Sequence, residues 1–140
     1  MHPDKSRFLT LRIIFFAILM GVAVFLGIQF TVLAEREIVL QETLTNILMA
    51  AGAILYALGV LIPKFLIPVF PASMESFQRY QSIKIVQWAI LEGGIVLNCV
   101  GNFITPNTAT QIIIGIGIVV YLTRFPTENE MESWFPKSKF

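Results

Sequence analysis

The feature that most limits how this chain can fold is the uncharged, mostly apolar run over residues 13–33. A helix needs about 20 such residues to cross the hydrocarbon layer of a membrane. Residues 44–62 and 85–104 form two further runs, and Glu92 is the single charge within the second. A fourth run, 111–122, is shorter, but Pro106 and Pro126 leave room for about 20 residues between them. The pattern therefore predicts four transmembrane helices.

Composition supports the membrane class and leaves little material for an active site. The chain is 56% hydrophobic and 14% charged, whereas an ordinary soluble domain is about 25% charged. Its net charge of +1 provides no strong field for nucleic acid. Cys99 is the only cysteine and His2 the only histidine, so we predict no disulfide, metal site, cofactor or enzymatic activity.

The predicted fold is an all-α membrane protein with one domain of four transmembrane helices, arranged as two hairpins. The spans are expected at about 11–34, 43–63, 83–105 and 107–124, with Pro63 ending the second. Thr127 precedes Glu130 at the spacing of a capping box, so a short interfacial helix is predicted over 127–136.

The basic residues predict the orientation. Of the ten lysines and arginines, only Arg36 falls between the first and second spans. The other nine precede the first apolar run, lie between the second and third runs, or follow the fourth: Lys5, Arg7, Arg12, Lys64, Arg79, Lys84, Arg124, Lys137 and Lys139. Because basic residues concentrate on the cytoplasmic side, both termini are expected in the cytoplasm of a bacterium, with the protein in its inner membrane.

Small residues recur at equivalent places in the first and third spans. Ala17 and Gly21 match Ala89 and Gly93 at a constant separation, 89 − 17 = 72 residues. Two interpretations stay open: a parallel internal repeat, or chance similarity among common membrane residues. Both pairs are small-xxx-small motifs that allow close helix approach. Gly52 and Gly117, in spans two and four, are the candidates for the matching grooves.

Glu92 is the candidate functional residue, because a carboxylate in mid-membrane costs about 2.5–3.5 kcal/mol on insertion scales. It could bind a proton or cation, contact a partner subunit, or hydrogen-bond as a protonated acid to a neighbouring helix. The helical period puts Asn98 about 120° away from it, so the two side chains should face different neighbours. Asn98, Asn102 and Gln29 are the supporting polar residues of the spans.

Two resemblances rest on short motifs. The stretch "WAILEGG" at 88–94, with "YLTRFPT" at 121–127, resembles uncharacterised small four-span membrane proteins of Bacteroidetes-type bacteria. These commonly show W-A-x-x-E-G in helix three and an R-P-T-like ending, which Phe125 interrupts here. A glutamate within a helical hairpin is also similar to the proteolipid subunits of rotary ATPases. Those carry the carboxylate on a hairpin's second helix and have a glycine-rich repeat, unlike this chain.

The predicted function is that of a small, non-enzymatic accessory or structural subunit of a membrane complex. Its expected partners are the lipid bilayer and other membrane subunits or further copies of itself. The alternative is a proteolipid-like protein that translocates protons or cations through Glu92. The two differ in what surrounds that carboxylate: a hydrated route would favour translocation, and a dry, hydrogen-bonded pocket would favour a packing role.

Overall fold

The computed structural model describes residues 3–33 and 41–136, and every regular element within those ranges is a helix. The five helices are α1 (Pro3–Leu33), α2 (Glu42–Leu66), α3 (Ser76–Ile104), α4 (Thr108–Leu122) and α5 (Glu128–Trp134). The predicted all-α class is therefore confirmed for the described residues. Of the basic residues that predict the orientation, Arg36, Lys137 and Lys139 lie outside those ranges.

Three helices are long and apolar enough to cross a membrane. α1, α2 and α3 contain 31, 25 and 29 residues. At 1.5 Å per residue, even the shortest is about 37 Å long, which exceeds the hydrocarbon thickness of about 30 Å. α4 is apolar but has 15 residues, a length of about 22 Å.

α3 is the central helix, and all four other helices pack against it. Half of its most apolar stretch is buried inside the protein, compared with 17% for α1 and 22% for α2. Its buried side chains point to all sides: Tyr80, Trp88, Leu91, Ile95 and Asn98 are 0% exposed.

α1 packs on α3 rather than on α2, which differs from the predicted first hairpin. Its buried residues form one stripe toward the bundle: Phe8, Leu11, Phe15, Val22 and Gln29. The spacings of three, four, seven and seven suit a single narrow seam. Most other residues of α1 are exposed, so α1 and α3 have different surroundings although they share small-residue motifs.

Pro63 does not end α2, which continues for a further turn to Leu66. Proline lacks a backbone N–H, so Pro63 leaves the carbonyl of Gly59, four residues earlier, without its helical partner. Gln87 of α3 supplies the missing donor, because its Nε2 lies 2.9 Å from the Gly59 oxygen. This contact from a neighbouring helix is the physical reason that the prediction from sequence was wrong here.

α5 begins after Thr127, whose side chain accepts a hydrogen bond from the Glu130 amide at 3.2 Å. The aromatic residues of α5 and its end pack on the start of α3. The ring of Trp134 lies 5.2 Å from that of Tyr80, and the guanidinium of Arg79 lies 4.2 Å from the Phe135 ring centre. α5 thus packs on the end of the bundle where α1 and α3 begin, and none of its residues is fully buried. The predicted short helix is present, and its place at the headgroups stays a prediction.

Candidate functional site

α2 and α3 approach each other closely at two glycines, Gly52 and Gly94. A Cβ atom on Gly52 would lie 2.8 Å from the Gly94 carbonyl oxygen, and one on Gly94 would lie 2.9 Å from the Gly52 oxygen. Only glycine allows two backbones to approach so closely. The predicted groove residue Gly52 therefore faces α3, while Gly117 of α4 lies against the Tyr56 ring.

Asn98 of α3 lies next to this contact and is fully buried. Its Nδ2 donates to the Tyr56 hydroxyl at 3.0 Å and to the Gly94 carbonyl at 2.9 Å. The amide thus joins α2 to α3 in the middle of the bundle. The predicted separation of Asn98 from Glu92 agrees with this geometry, because Glu92 faces α1 instead.

Gln29 of α1 and Asn102 of α3, two of the predicted polar residues, lie near the C-terminal end of α3. Gln29 Nε2 donates from α1 to the carbonyl of Cys99, and Asn102 Oδ1 accepts from the Asn107 amide at 3.4 Å. Thr45 of α2 donates to the carbonyl of Gly101 at 3.2 Å. Interhelical hydrogen bonds of this kind help to hold membrane bundles together.

The Gln87 contact can be tested through its dependence on Pro63. We expect Gln87→Leu to destabilise the protein. Pro63→Ala should reduce that cost, because it restores at position 63 a backbone N–H that can donate to the Gly59 carbonyl. The coupling between the two changes should be about 1 kcal/mol, within the range for hydrogen bonds between membrane helices. Unfolding of the single and double variants in detergent measures it.

Gln111, an exposed residue of α4, provides the control. Gln111→Leu should show no coupling to Pro63→Ala. Equal coupling at positions 87 and 111 would contradict the role assigned to Gln87.

Glu92 lies at the edge of the bundle between α1 and α3 and is half-buried. Its Oε1 is 3.9 Å from the place a Cβ on Gly21 would occupy. Within the part of the chain that the structure describes, Glu92 forms no hydrogen bond or ion pair. The nearby Tyr121 hydroxyl donates instead to the carbonyl of Phe15 at 2.9 Å.

The surface around Glu92 is apolar and open. Ala17 and Gly21 of α1 and Ala89 of α3 are exposed. Gly93 does not belong to this surface, because it faces α2: a Cβ on Gly93 would lie 3.8 Å from Leu55 Cδ1. The two predicted small-residue motifs are thus divided, and three of their four residues lie exposed on the outside of the bundle.

The same edge contains an apolar cleft further along the two helices. It has a volume of about 270 Å³ and is lined by Phe25, Ile28, Gln29, Val32, Val100 and Phe103. On α3, Val96, Val100 and Phe103 follow Glu92 at helical spacing, so the cleft lies on the same side as the carboxylate. We call this edge, from Ala89 and Glu92 to Val100 with the facing part of α1, the Glu92 face.

The end of the bundle where α1 and α3 begin contains an ion pair that the sequence did not reveal. Lys84 is fully buried, and its Nζ lies 3.0 Å from Glu130 Oε2. The hydroxyl of Tyr80 donates to the same oxygen at 2.7 Å and accepts from the Thr127 amide at 3.1 Å. The Glu130 side chain is therefore directed to α3 and not back to Thr127, as a capping box would require. In the sequence, the only local feature that could have pointed to this ion pair is the position of Lys84, one helical turn before Trp88.

Comparison with protein families, curated proteins and solved structures finds no match for this chain. Both resemblances noted in the sequence therefore stay predictions. Among the described residues, no group of three or more histidine, cysteine, aspartate or glutamate side chains is placed to hold a metal ion. The Glu92 face is therefore the candidate functional site.

Proposed function

We propose that the protein is a non-enzymatic subunit of a membrane complex, and that the Glu92 face binds a transmembrane helix of another protein. The observation that carries this proposal is the lack of a partner for the Glu92 carboxylate among the described residues. Glu92 is half-buried beside exposed small residues, and no described residue neutralises it or donates a hydrogen bond to it. Such a group in lipid costs several kcal/mol unless a partner satisfies it.

The chemistry of the partner follows from the charges in this chain. The runs 13–33, 44–62, 85–104 and 111–122 contain no lysine or arginine. A second copy of the chain therefore brings no basic residue to the depth of Glu92. We assign the donor to a different protein whose helix carries a lysine or arginine at that depth, because intramembrane charges pair with one another.

The shape of the face suits a helix. Ala17, Gly21 and Ala89 allow the partner backbone to approach closely, as small residues do in other membrane interfaces. The cleft beside Val100 is large enough for an apolar side chain about two turns away from Glu92. One polar contact and one apolar contact along the same edge define the position and direction of the partner helix.

The proposed topology places both termini in the cytoplasm of a bacterium, with four helices crossing its inner membrane. The bias of basic residues supports the orientation. α4 completes the fourth crossing with its flanking residues. Asn107 at its start hydrogen-bonds Asn102 of α3, and the Arg124 carbonyl beyond its end accepts from Trp88 of α3 at 3.1 Å.

Photocrosslinking in membranes tests the proposal. A photoreactive residue at Ala17 or Ala89 should capture one membrane protein, and the same group at Ile112 of α4, which is 58% exposed, should not. The captured helix should carry a lysine or arginine. Glu92→Gln should then weaken copurification of that protein by about tenfold or more, because it removes a charge-assisted bond worth about 1.5–3 kcal/mol.

Glu132→Gln, an exposed change on α5, is the control and should leave copurification unchanged. Crosslinks only between copies of this chain, or equal crosslinking from Ile112, would refute the assigned partner. If the protein supports proton or cation flux in liposomes and Glu92→Gln abolishes that flux, the result would instead support translocation through this carboxylate.

A further inference from the structure

The end of the bundle where α1 and α3 begin has more positive charge than the carboxylates there neutralise. The two ion pairs among the described residues join Arg7 to Glu75 and Lys84 to Glu130. Arg12 and Arg124 have neither a carboxylate nor a hydrogen-bond partner for the guanidinium among those residues. The Nε atom of each is buried without a partner.

Aromatic packing places Arg12 beside the residue that follows Arg124. The guanidinium of Arg12 lies 5.3 Å from the ring centre of Phe125, the residue after Arg124. That ring packs edge-on against Phe15 at 5.4 Å, and the Trp88 indole donates to the Arg124 carbonyl at 3.1 Å. α1, α3 and the segment after α4 therefore meet beside the two arginines.

In the proposed topology, both arginines lie at the depth of the lipid headgroups. Arg12 directly precedes the uncharged run 13–33, and Arg124 is two residues beyond Leu122, where α4 ends. Next to them are exposed apolar side chains, Ile13 at 59% and Phe16 at 52%, and the Phe16 ring is 6.0 Å from that of Phe125. Cations thus adjoin an exposed apolar surface, which acyl chains would cover in that topology.

We propose that Arg12 and Arg124 bind the phosphate of an anionic phospholipid, whose acyl chain lies on Ile13 and Phe16. Guanidinium groups bind phosphate through two parallel hydrogen bonds, and basic pockets between membrane helices bind anionic headgroups. Lys84 adds to the positive potential beside Arg124, although Glu130 neutralises part of its charge. This site is separate from the Glu92 face and does not depend on the proposed partner helix.

Lipid retention tests this site. The purified protein is exchanged into nanodiscs that contain equal amounts of phosphatidylglycerol and phosphatidylcholine, and the lipids that remain bound are measured by native mass spectrometry. The wild-type protein should retain phosphatidylglycerol over phosphatidylcholine by about tenfold, which corresponds to about 1.4 kcal/mol. Arg12→Gln with Arg124→Gln should abolish that preference.

A matched control removes the same charge elsewhere. Lys5 and Lys64 are exposed residues of the same predicted side, so Lys5→Gln with Lys64→Gln should keep the preference. Arg12→Lys with Arg124→Lys keeps the charge and should lower the preference, because an ammonium cannot form the paired hydrogen bonds. This variant also provides a test if the glutamine variant fails to fold.

Three outcomes would overturn the proposal. The first is a wild-type protein without preference between the two lipids. The second is an equal loss of preference in the lysine control and the arginine variant. The third is displacement of bound phosphatidylglycerol by millimolar inorganic phosphate, which would assign the arginines to a free anion instead of a lipid.

Discussion

Gly52→Ala is expected to destabilise the bundle by about 3 kcal/mol, the upper part of the usual range for overpacking. The added methyl would lie 2.8 Å from the carbonyl oxygen of Gly94 and would also collide with the Asn98 side chain. Asn98 could rotate, although it would lose its bond to Tyr56. The Gly94 oxygen is backbone, so α2 and α3 would have to separate.

Unfolding of Gly52→Ala and the wild type in detergent, followed by circular dichroism, measures this loss. Gly115→Ala on α4 is the control, because no atom lies within 4 Å of the position its Cβ would take. Both changes replace glycine with alanine inside a helix and raise helix propensity by about 1 kcal/mol. Equal stability of the two variants would show that the α2–α3 contact tolerates a methyl group.

Glu130→Ala is expected to release α5 from the bundle at a cost of about 3 kcal/mol, the lower limit for breaking a buried ion pair. Lys84 is completely buried, and Glu130 is its carboxylate partner. Removal of Glu130 leaves that ammonium uncompensated beside the rings of Tyr80, Trp88 and Trp134. The side-chain exposure of Glu130, 24%, lets water reduce the cost, which is why the lower limit applies.

Limited proteolysis at the end of α4 and fluorescence of Trp134 report the release of α5. Lys84→Met with Glu130→Ala should be less destabilised than Glu130→Ala alone, because no charge is then left buried. Glu132→Ala, exposed on the same helix, should keep α5 in place. Unchanged proteolysis in Glu130→Ala would contradict the assigned role of the ion pair.

The helical period correctly separated the two polar features of α3. Glu92 and Asn98 lie six residues apart, so they cannot share a face, and in the structure one faces α1 and the other α2. Sequence patterns were wrong at Pro63, because the Gln87 amide that compensates for the proline comes from a helix distant in sequence. They also missed the bond between Lys84 and Glu130, which are 46 residues apart.

The sequence by itself determined the class of protein and the regions that become helical, because length, hydropathy and the backbone's need for internal hydrogen bonds in lipid are local properties. Only the tertiary structure decided that α3 is central, that α1 packs on it, and that Glu92 lies at an open edge while Asn98 is enclosed. Lipid provides no hydrophobic drive for helices to associate, so pairing depends on close packing and hydrogen bonds between distant residues. A hydropathy pattern contains no information on such packing or on such hydrogen bonds.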